Sequence, residues 1–384
     1  MIKYASCSVH TLELMAEVKC NEVNSVYCTM KNTGCSIKKE MSSSSTLSSY
    51  YYTFSRMGED YQGINSVNLI VNKDEYTSCI VNSFVHIIIN PAKAYTSLSW
   101  APNADIVPFE SLYDAYEKCL LALRKLLGNE IVDRMKFNRI DFCCNIAFER
   151  QAEAEEYISL LQKGIPPKAL KKIAVFAETA ETGEKVCTGI LLTCGSYEIS
   201  IYLKQKEMLG RKIKPSDLEE ANGVLRIELR ALSSKLHSII KKEPELDLQC
   251  VQPEQLVRIT RLGLCELKKK ISHMTGEGRF LRYDEAVAQI KSAPIKSKYK
   301  DDMIDVLYYL ARHPKGGNLL KDRMWEMHQW KKLVHLFDKI DCSPVALPRT
   351  SLEYHYPSVA QIITREMIRS SRIIRTSPRD KLDC

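Results

Sequence analysis

Four short runs hold the residues whose types and spacing could act on a phosphodiester. In residues 198–204, Glu198, Ser200, Tyr202 and Lys204 alternate with Ile199, Ile201 and Leu203; in 224–230, Val224, Arg226, Glu228 and Arg230 alternate with Leu225, Ile227 and Leu229. Strand side chains change face at every residue, so each run predicts one apolar face and one bearing titratable groups. Residues 138–146 repeat the pattern, with Arg139, Asp141 and Asn145 set against Ile140, Phe142, Cys144 and Ile146. Residues 84–90 put His86 and Asn90 on one face before Pro91 removes a ladder donor. Carboxylates with an imidazole suit a hard divalent cation, Mg2+ or Mn2+, so Asp141 and Glu228 are the expected metal pair and His86 a third ligand. A tyrosine hydroxyl titrates near about 10 and attacks phosphorus only when a cation favours its phenolate. Tyr202 has Lys204 on its own face, whereas Tyr197 has the opposite parity and points to the core.

Each residue also has a plainer reading. A strand carboxylate beside an arginine is most often an ion pair worth little, and a strand tyrosine is usually half-buried packing. Tyr50-Tyr51-Tyr52, beside the Ser-rich stretch 42–49, reads better as ordinary strand than as a set of nucleophiles. His86 has no second histidine two residues on, as a His-hydrophobe-His metal motif requires.

The elements that must position these groups alternate. After short strand-like runs over 1–90, strand 84–90 is followed by a helix over 111–127, strand 138–146 by a helix over 152–162, and then comes the strand pair around 198–230. This is an α+β pattern: a mainly antiparallel sheet covered by helices on one face and open on the other. Residues 243–299 are helical and charged, clearest over 256–270, with a break at 276–278. Helices over 300–312, 319–325 and 329–340, then an extended tail, have the rhythm of a helix-turn-helix or winged helix. A last helix over 359–375 stacks Arg365, Arg369 and Arg372. The expected division is an α+β catalytic domain over 1–245, a helical connector over 246–295 and a basic helical DNA-binding module over 296–384.

The chain has 384 residues and a formal net charge of +8. Residues 291–384 hold eighteen Lys and Arg against eleven Asp and Glu, so most of the excess sits there, with Lys331 and Lys332 among the expected DNA contacts. Fourteen scattered cysteines, none in a CxxC pair, with no export signal predict free thiols in a reducing cytoplasm and no structural zinc. No apolar run is long enough to span a bilayer. The sequence has no GxxxxGK[ST] loop, no GxGxxG opening a helix, no HExxH, no GxSxG, and no HxxR box before a C-terminal tyrosine, which disfavours a nucleotide-driven motor, common hydrolases and a tyrosine recombinase.

Asn138-Arg139-Ile140-Asp141, Ser200 through Glu207 with Tyr202, Lys204 and Glu207 spaced as Y-x-K-x-x-E, and Leu225-Arg226-Ile227-Glu228-Leu229 together resemble the replication initiators of rolling-circle phages and plasmids, in their filamentous-phage and staphylococcal-plasmid branches. Ile89-Asn90-Pro91-Ala92-Lys93 resembles the N-P-x-K stretch of the phage branch, and the order of the motifs agrees. The resemblance covers about residues 80–240. It implies a DNA strand-nicking enzyme in which Tyr202 is the nucleophile, aided by Lys204, with Asp141 and Glu228 at the acidic positions. Such an enzyme nicks one strand of a double-stranded origin, stays attached to the 5′ phosphate and later rejoins the displaced strand. Host helicase and polymerase are the further partners implied, and an oligomer is compatible. Leu203 stands where many relatives carry an acidic residue. The competing expectation is a non-catalytic, sequence-specific DNA-binding regulator on the same fold.

Overall fold

The computed structural model describes residues 1–384 except 45, 56–57, 96–105, 168, 179–184, 209–214, 314–326, 352 and 377–384. Among the described residues, ten strands form one antiparallel sheet. They are β1 (Ile2–Glu17), β2 (Ser36–Ser43), β3 (Leu47–Ser55), β4 (Ile64–Asp74), β5 (Ile80–Ile89), β6 (Lys136–Phe148), β7 (Lys171–Glu178), β8 (Lys185–Thr193), β9 (Tyr197–Leu203) and β10 (Val224–Leu232), in the spatial order 2-3-4-5-1-6-10-9-8-7. That order contains one topology twice. β1 leads into helix α1 (Val23–Asn32) and then a meander whose last strand, β5, returns to pair with β1. After α2 (Leu112–Leu127) and α3 (Asn129–Asp133), β6 leads into α4 (Gln151–Lys163) and a meander whose last strand, β10, returns to pair with β6. The two units meet where β1 pairs antiparallel with β6.

Alternation in the sequence becomes a two-sided sheet. The apolar side carries Leu12, Leu14, Ile87, Phe142, Ile146, Ile199, Ile201, Leu225 and Ile227, all buried. Fully covering each such side chain stabilises the fold by about 1.5–3 kcal/mol before entropy is counted. Helices α2 and α4, then α7 (Ser233–Ile240) and α8 (Pro253–Thr275), supply the cover. Pro253 opens α8, where its missing N–H costs nothing, and Gly276 ends it with φ 76. Within α8, a Cβ on Gly263 would come within 2.3 Å of the buried Phe142 ring, so only glycine lets the helix lie this close under β6. The segment expected to be a connector thus contains the helix that packs beneath the seam.

The Ser-rich stretch forms a hairpin: β2 and β3 pair through Ser42↔Ser49 and Ser43↔Ser48. Tyr52 packs edge-on against Tyr27 of α1, as strand packing predicts. The helical rhythm at the end is present as α9 (Tyr283–Ser292), α10 (Ser297–Arg312), α11 (Met327–Lys339) and α12 (Val359–Thr376), with a two-stranded ribbon of β11 (Phe280–Leu281) and β12 (His355–Tyr356). The helix expected over 319–325 lies outside the described residues. The C-terminal segment is tied to the sheet's helix layer: the Tyr157 ring of α4 stacks edge-on against Phe280 and Tyr356, and its hydroxyl donates to the Pro357 carbonyl at 2.9 Å. The described cysteines are free thiols, and no described helix is long and apolar enough to cross a membrane.

Candidate functional site

The open side of the sheet has a cleft of about 330 Å³ around β1, β6, β10 and β9, lined in part by His10, Asp141, Tyr202, Lys204, Glu228 and Arg230. β6 delivers Asp141 because Ile140 and Phe142 are committed to the covered side, and the same alternation aims Glu228 and Arg230 from β10. β9 delivers Tyr202, which faces Arg226 across the β9–β10 ladder. β1 delivers His10 by an irregularity. Val9 pairs with Phe142 and Thr11 with Asp141, so His10 is one residue too many for the ladder. A bulge of this kind re-aims a side chain, here bringing His10 Nδ1 to 2.7 Å from Glu228 Oε1 and 3.2 Å from the Thr11 hydroxyl.

One ligand atom from each of His10, Asp141 and Glu228 lies within 4.8 Å of the others. Two carboxylates and an imidazole converging on one point are a donor set for a hard divalent cation, so these residues fit Mg2+ or Mn2+. Asp141 is gripped in bidentate fashion by Arg139, Nε donating to Oδ1 at 2.8 Å and Nη2 to Oδ2 at 2.7 Å, while Arg139 Nη1 donates to Glu13 at 2.5 Å. The carboxyls are driven apart electrostatically. Burial pushes Asp141 above the ordinary range, and the Glu228 charge adds to this against the opposing pull of Arg139 and Arg230. Burial also acts on Glu228, but the His10 hydrogen bond and the charges of His10, Arg226 and Arg230 outweigh it and hold that carboxyl below its usual range. Burial raises the Tyr202 phenol well above its ordinary value, with the Arg226 charge working the other way.

The expected residues fall into three groups. Asp141, Glu228, Tyr202 and Lys204 are brought together, although Lys204 is not a strand residue: the chain leaves the sheet at Leu203, and Lys204 opens α5 (Lys204–Met208), donating to Glu207 at 3.3 Å. Arg139 and Arg230 border the cleft, Arg230 donating to Glu198 at 3.2 Å. Arg226, expected on the open face of the sheet, is completely buried; Nε donates to Asn145 at 2.8 Å, and the guanidinium lies opposite Tyr202 in the ladder, where its charge opposes the cost of burying the phenol. Tyr197 does face the covered side, between the Lys235 and Lys270 ammoniums at 5.0 Å each.

His86 is not in the ligand cluster. It stands on β5, opposite Met15 and Asn68, and β1 separates its strand from β6. The imidazole in the cluster is His10, and Glu13 holds Arg139 from the same strand. The alternating polar positions Ser6, Ser8 and His10 were the available signal, but nothing in residue types shows that this face adjoins Asp141 of β6. At the end of β5, Asn90 caps the turn that follows, accepting from the Ala92 amide at 3.0 Å, and Lys93 donates to Asn65 at 2.7 Å.

The remaining cations are elsewhere. Arg365 and Arg369 are exposed on α12, which packs on α8 on the covered side of the sheet, away from the cleft; Arg369 pairs with Glu366 at 2.8 Å. Lys331 and Lys332 are exposed on α11, and Lys332 donates to the Tyr299 hydroxyl at 2.5 Å. The Arg372 side chain lies outside the described residues.

The arrangement joins a half-buried tyrosine, a nearby guanidinium and a divalent-cation donor set in one cleft, the parts required for phosphoryl transfer to a phenol. No family model and no curated protein matches the chain. Among solved structures, the Rolling Circle Replication Initiator Protein from Geobacillus stearothermophilus aligns with a TM-score of 0.28 and 12% identity over 64% of this chain and 81% of that one, a likeness too slight to carry an argument.

Proposed function

We propose that the protein is a rolling-circle replication initiator, a metal-dependent enzyme that nicks one DNA strand at an origin through Tyr202 and later rejoins it. The observation that carries this reading is the convergence of His10, Asp141 and Glu228 beside Tyr202 in one cleft. Tyr202 Oη attacks the scissile phosphorus, the bond from phosphorus to the 3′ oxygen breaks, and the products are a 5′-phosphotyrosine and a 3′ hydroxyl. A divalent cation, Mg2+ or Mn2+, held by the three ligands would neutralise charge on the phosphate oxygens. The Arg226 charge, opposite Tyr202 in the ladder, favours the ionised phenol against the cost of burial. Lys204 is assigned to the departing 3′ oxygen, and the exposed edge of Arg230 to the flanking phosphates. Because the chain has no GxxxxGK[ST] loop, strand opening is assigned to a separate helicase. The tail cations Lys331, Lys332, Arg365, Arg369 and Arg372 are assigned to duplex contacts.

A second reading, a DNA-binding regulator without cleavage, is favoured by the self-pairing of the site: Arg139 engages both Asp141 oxygens, and His10 engages Glu228. Supercoiled DNA bearing the replicon's origin, incubated with the protein and Mn2+ or Mg2+, separates the two. Relaxed circles with protein on a 5′ end are the expected product. Tight origin binding with neither relaxation nor adduct would establish the regulator instead.

A further inference from the structure

On the helix side of the molecule, a cavity of about 300 Å³ opens where the C-terminal end of α4, the start of α9, the end of α10 and residues 346–349 meet. Its charged lining is entirely cationic, Lys163, Arg312 and Arg349, and two tyrosines, Tyr283 and Tyr308, stand among these cations. The larger cavity of about 860 Å³ beside α12 is different: Glu277, Asp338, Asp341 and Glu366 line it with its lysine and arginines, so a polyanion gains little there. In the smaller one, the exposed Asp284 pairs with Arg349 at 2.9 Å, and among the described residues no carboxylate forms an ion pair with Lys163 or Arg312.

Lys163 is the unexplained group. Its ammonium is half-buried, and among the described residues nothing accepts a hydrogen bond or ion pair from it. Burial holds it below the ordinary lysine range, with the Glu156 charge only partly opposing this. A phosphate in the cavity would relieve that cost. The tyrosines offer planar surface beside it. The Arg312 guanidinium lies 4.1 Å from the Tyr308 ring centre, Arg349 lies 5.4 Å from that of Tyr283, and Leu347 and Pro348 give an apolar wall. Tyr308 is 43% exposed, so its ring is within reach of a ligand. Cations interleaved with aromatic rings are the means by which proteins hold a single nucleotide without reading its base.

We infer that this cavity binds a nucleotide, with the phosphate on Lys163 and Arg312 and the base against the tyrosine rings. The nucleotide is either free or one residue of a single strand. Neither the metal cluster nor Tyr202 is involved, so the inference stands apart from the nicking reaction.

Calorimetric titration of the full chain, without divalent metal, with dAMP, inorganic phosphate and a short oligothymidylate tests it. dAMP or the oligonucleotide should bind more tightly than phosphate, and Lys163→Met and Tyr308→Ala should each weaken that binding by roughly tenfold or more. Tighter binding of the oligonucleotide identifies a strand as the source, and tighter binding of dAMP identifies a free nucleotide. Phosphate binding as tightly as either, binding unchanged in both variants, or no binding by any probe would overturn the assignment. Thermal midpoints of both variants check the fold, and Tyr308→Ala, at an exposed ring, carries the test should Lys163→Met fail to fold.

Discussion

The two halves of the sheet share a topology and differ in what they expose. On the open side of the β6–β10 half stand Asp141, Glu198, Ser200, Tyr202, Glu228 and Arg230; on that of β1–β5, away from the seam, stand Thr53, Asn68, Ile70, Phe84, His86 and Ile88. Both halves bury the same kind of aliphatic underside, so the difference is confined to alternate residues. The scaffold requirement and the chemical requirement are therefore carried by opposite parities of the same strands, and one half can lose or gain reactive groups without changing its core. His10 and Glu13 on β1 are the exception, crossing the seam to serve the other half.

The contrast would break most visibly at Tyr202. Tyr202→Phe keeps the ring and removes the nucleophile, so adduct formation should fall by roughly a thousandfold or more while origin binding persists. Gel analysis of protein attached to labelled origin DNA reads this, and an undiminished adduct would move the nucleophile elsewhere. Next in size is His10→Asn, expected to weaken Mn2+ binding by roughly 10- to 100-fold although the residue belongs to the other half. Calorimetry showing wild-type affinity would remove β1 from the site.

A smaller effect comes from the proton on Asp141. Because burial raises its folded pKa, protonation of Asp141 favours the metal-free fold at low pH, and that contribution is lost as pH rises through the raised value. Mn2+ requires the carboxylate, so its affinity should fall as pH drops through the same window, with proton release on binding. Titration in buffers of different ionisation enthalpy measures this release. Its absence in that window would mean that Asp141 is already ionised. The smallest effect sharpens the comparison: His86→Gln, in the half without the cluster, should leave Mn2+ affinity and nicking unchanged and shift stability by no more than about 0.5 kcal/mol. A loss like that of His10→Asn would place both histidines at the metal.

Strand alternation made Asp141, Tyr202 and Glu228 legible, because each sits between aliphatic residues that must face the other way. Lys204 was read onto the right cleft by parity although the strand ends before it. His10 was not legible, since its parity with Ser6 and Ser8 gives a polar face but not the strand beside it, and His86 has a similar local pattern but the wrong neighbours. Which strands adjoin is set by pairings between distant segments, so the placement of β1 between β5 and β6 could not be deduced locally. Arg226 looked like a surface cation because alternation gives direction but not depth; β9 and β10 together bury it beneath Tyr202.

The position of β1 also shapes how the molecule is assembled. It is synthesised before both of its neighbours, and Thr11 meets Asp141 only after the whole β2–β5 meander and α2 have been made. Until β6 arrives, one long edge of β1 has no ladder partner, and His10 stands without Asp141 and Glu228. Such long-range pairing slows folding and leaves an unpaired edge open to association with other chains. Pairing with β6 closes that edge and brings Asp141 beside β1, and the cleft is complete only when β9 and β10 follow with Tyr202 and Glu228, so a chain interrupted before β6 lacks the candidate ligand cluster and is prone to aggregate.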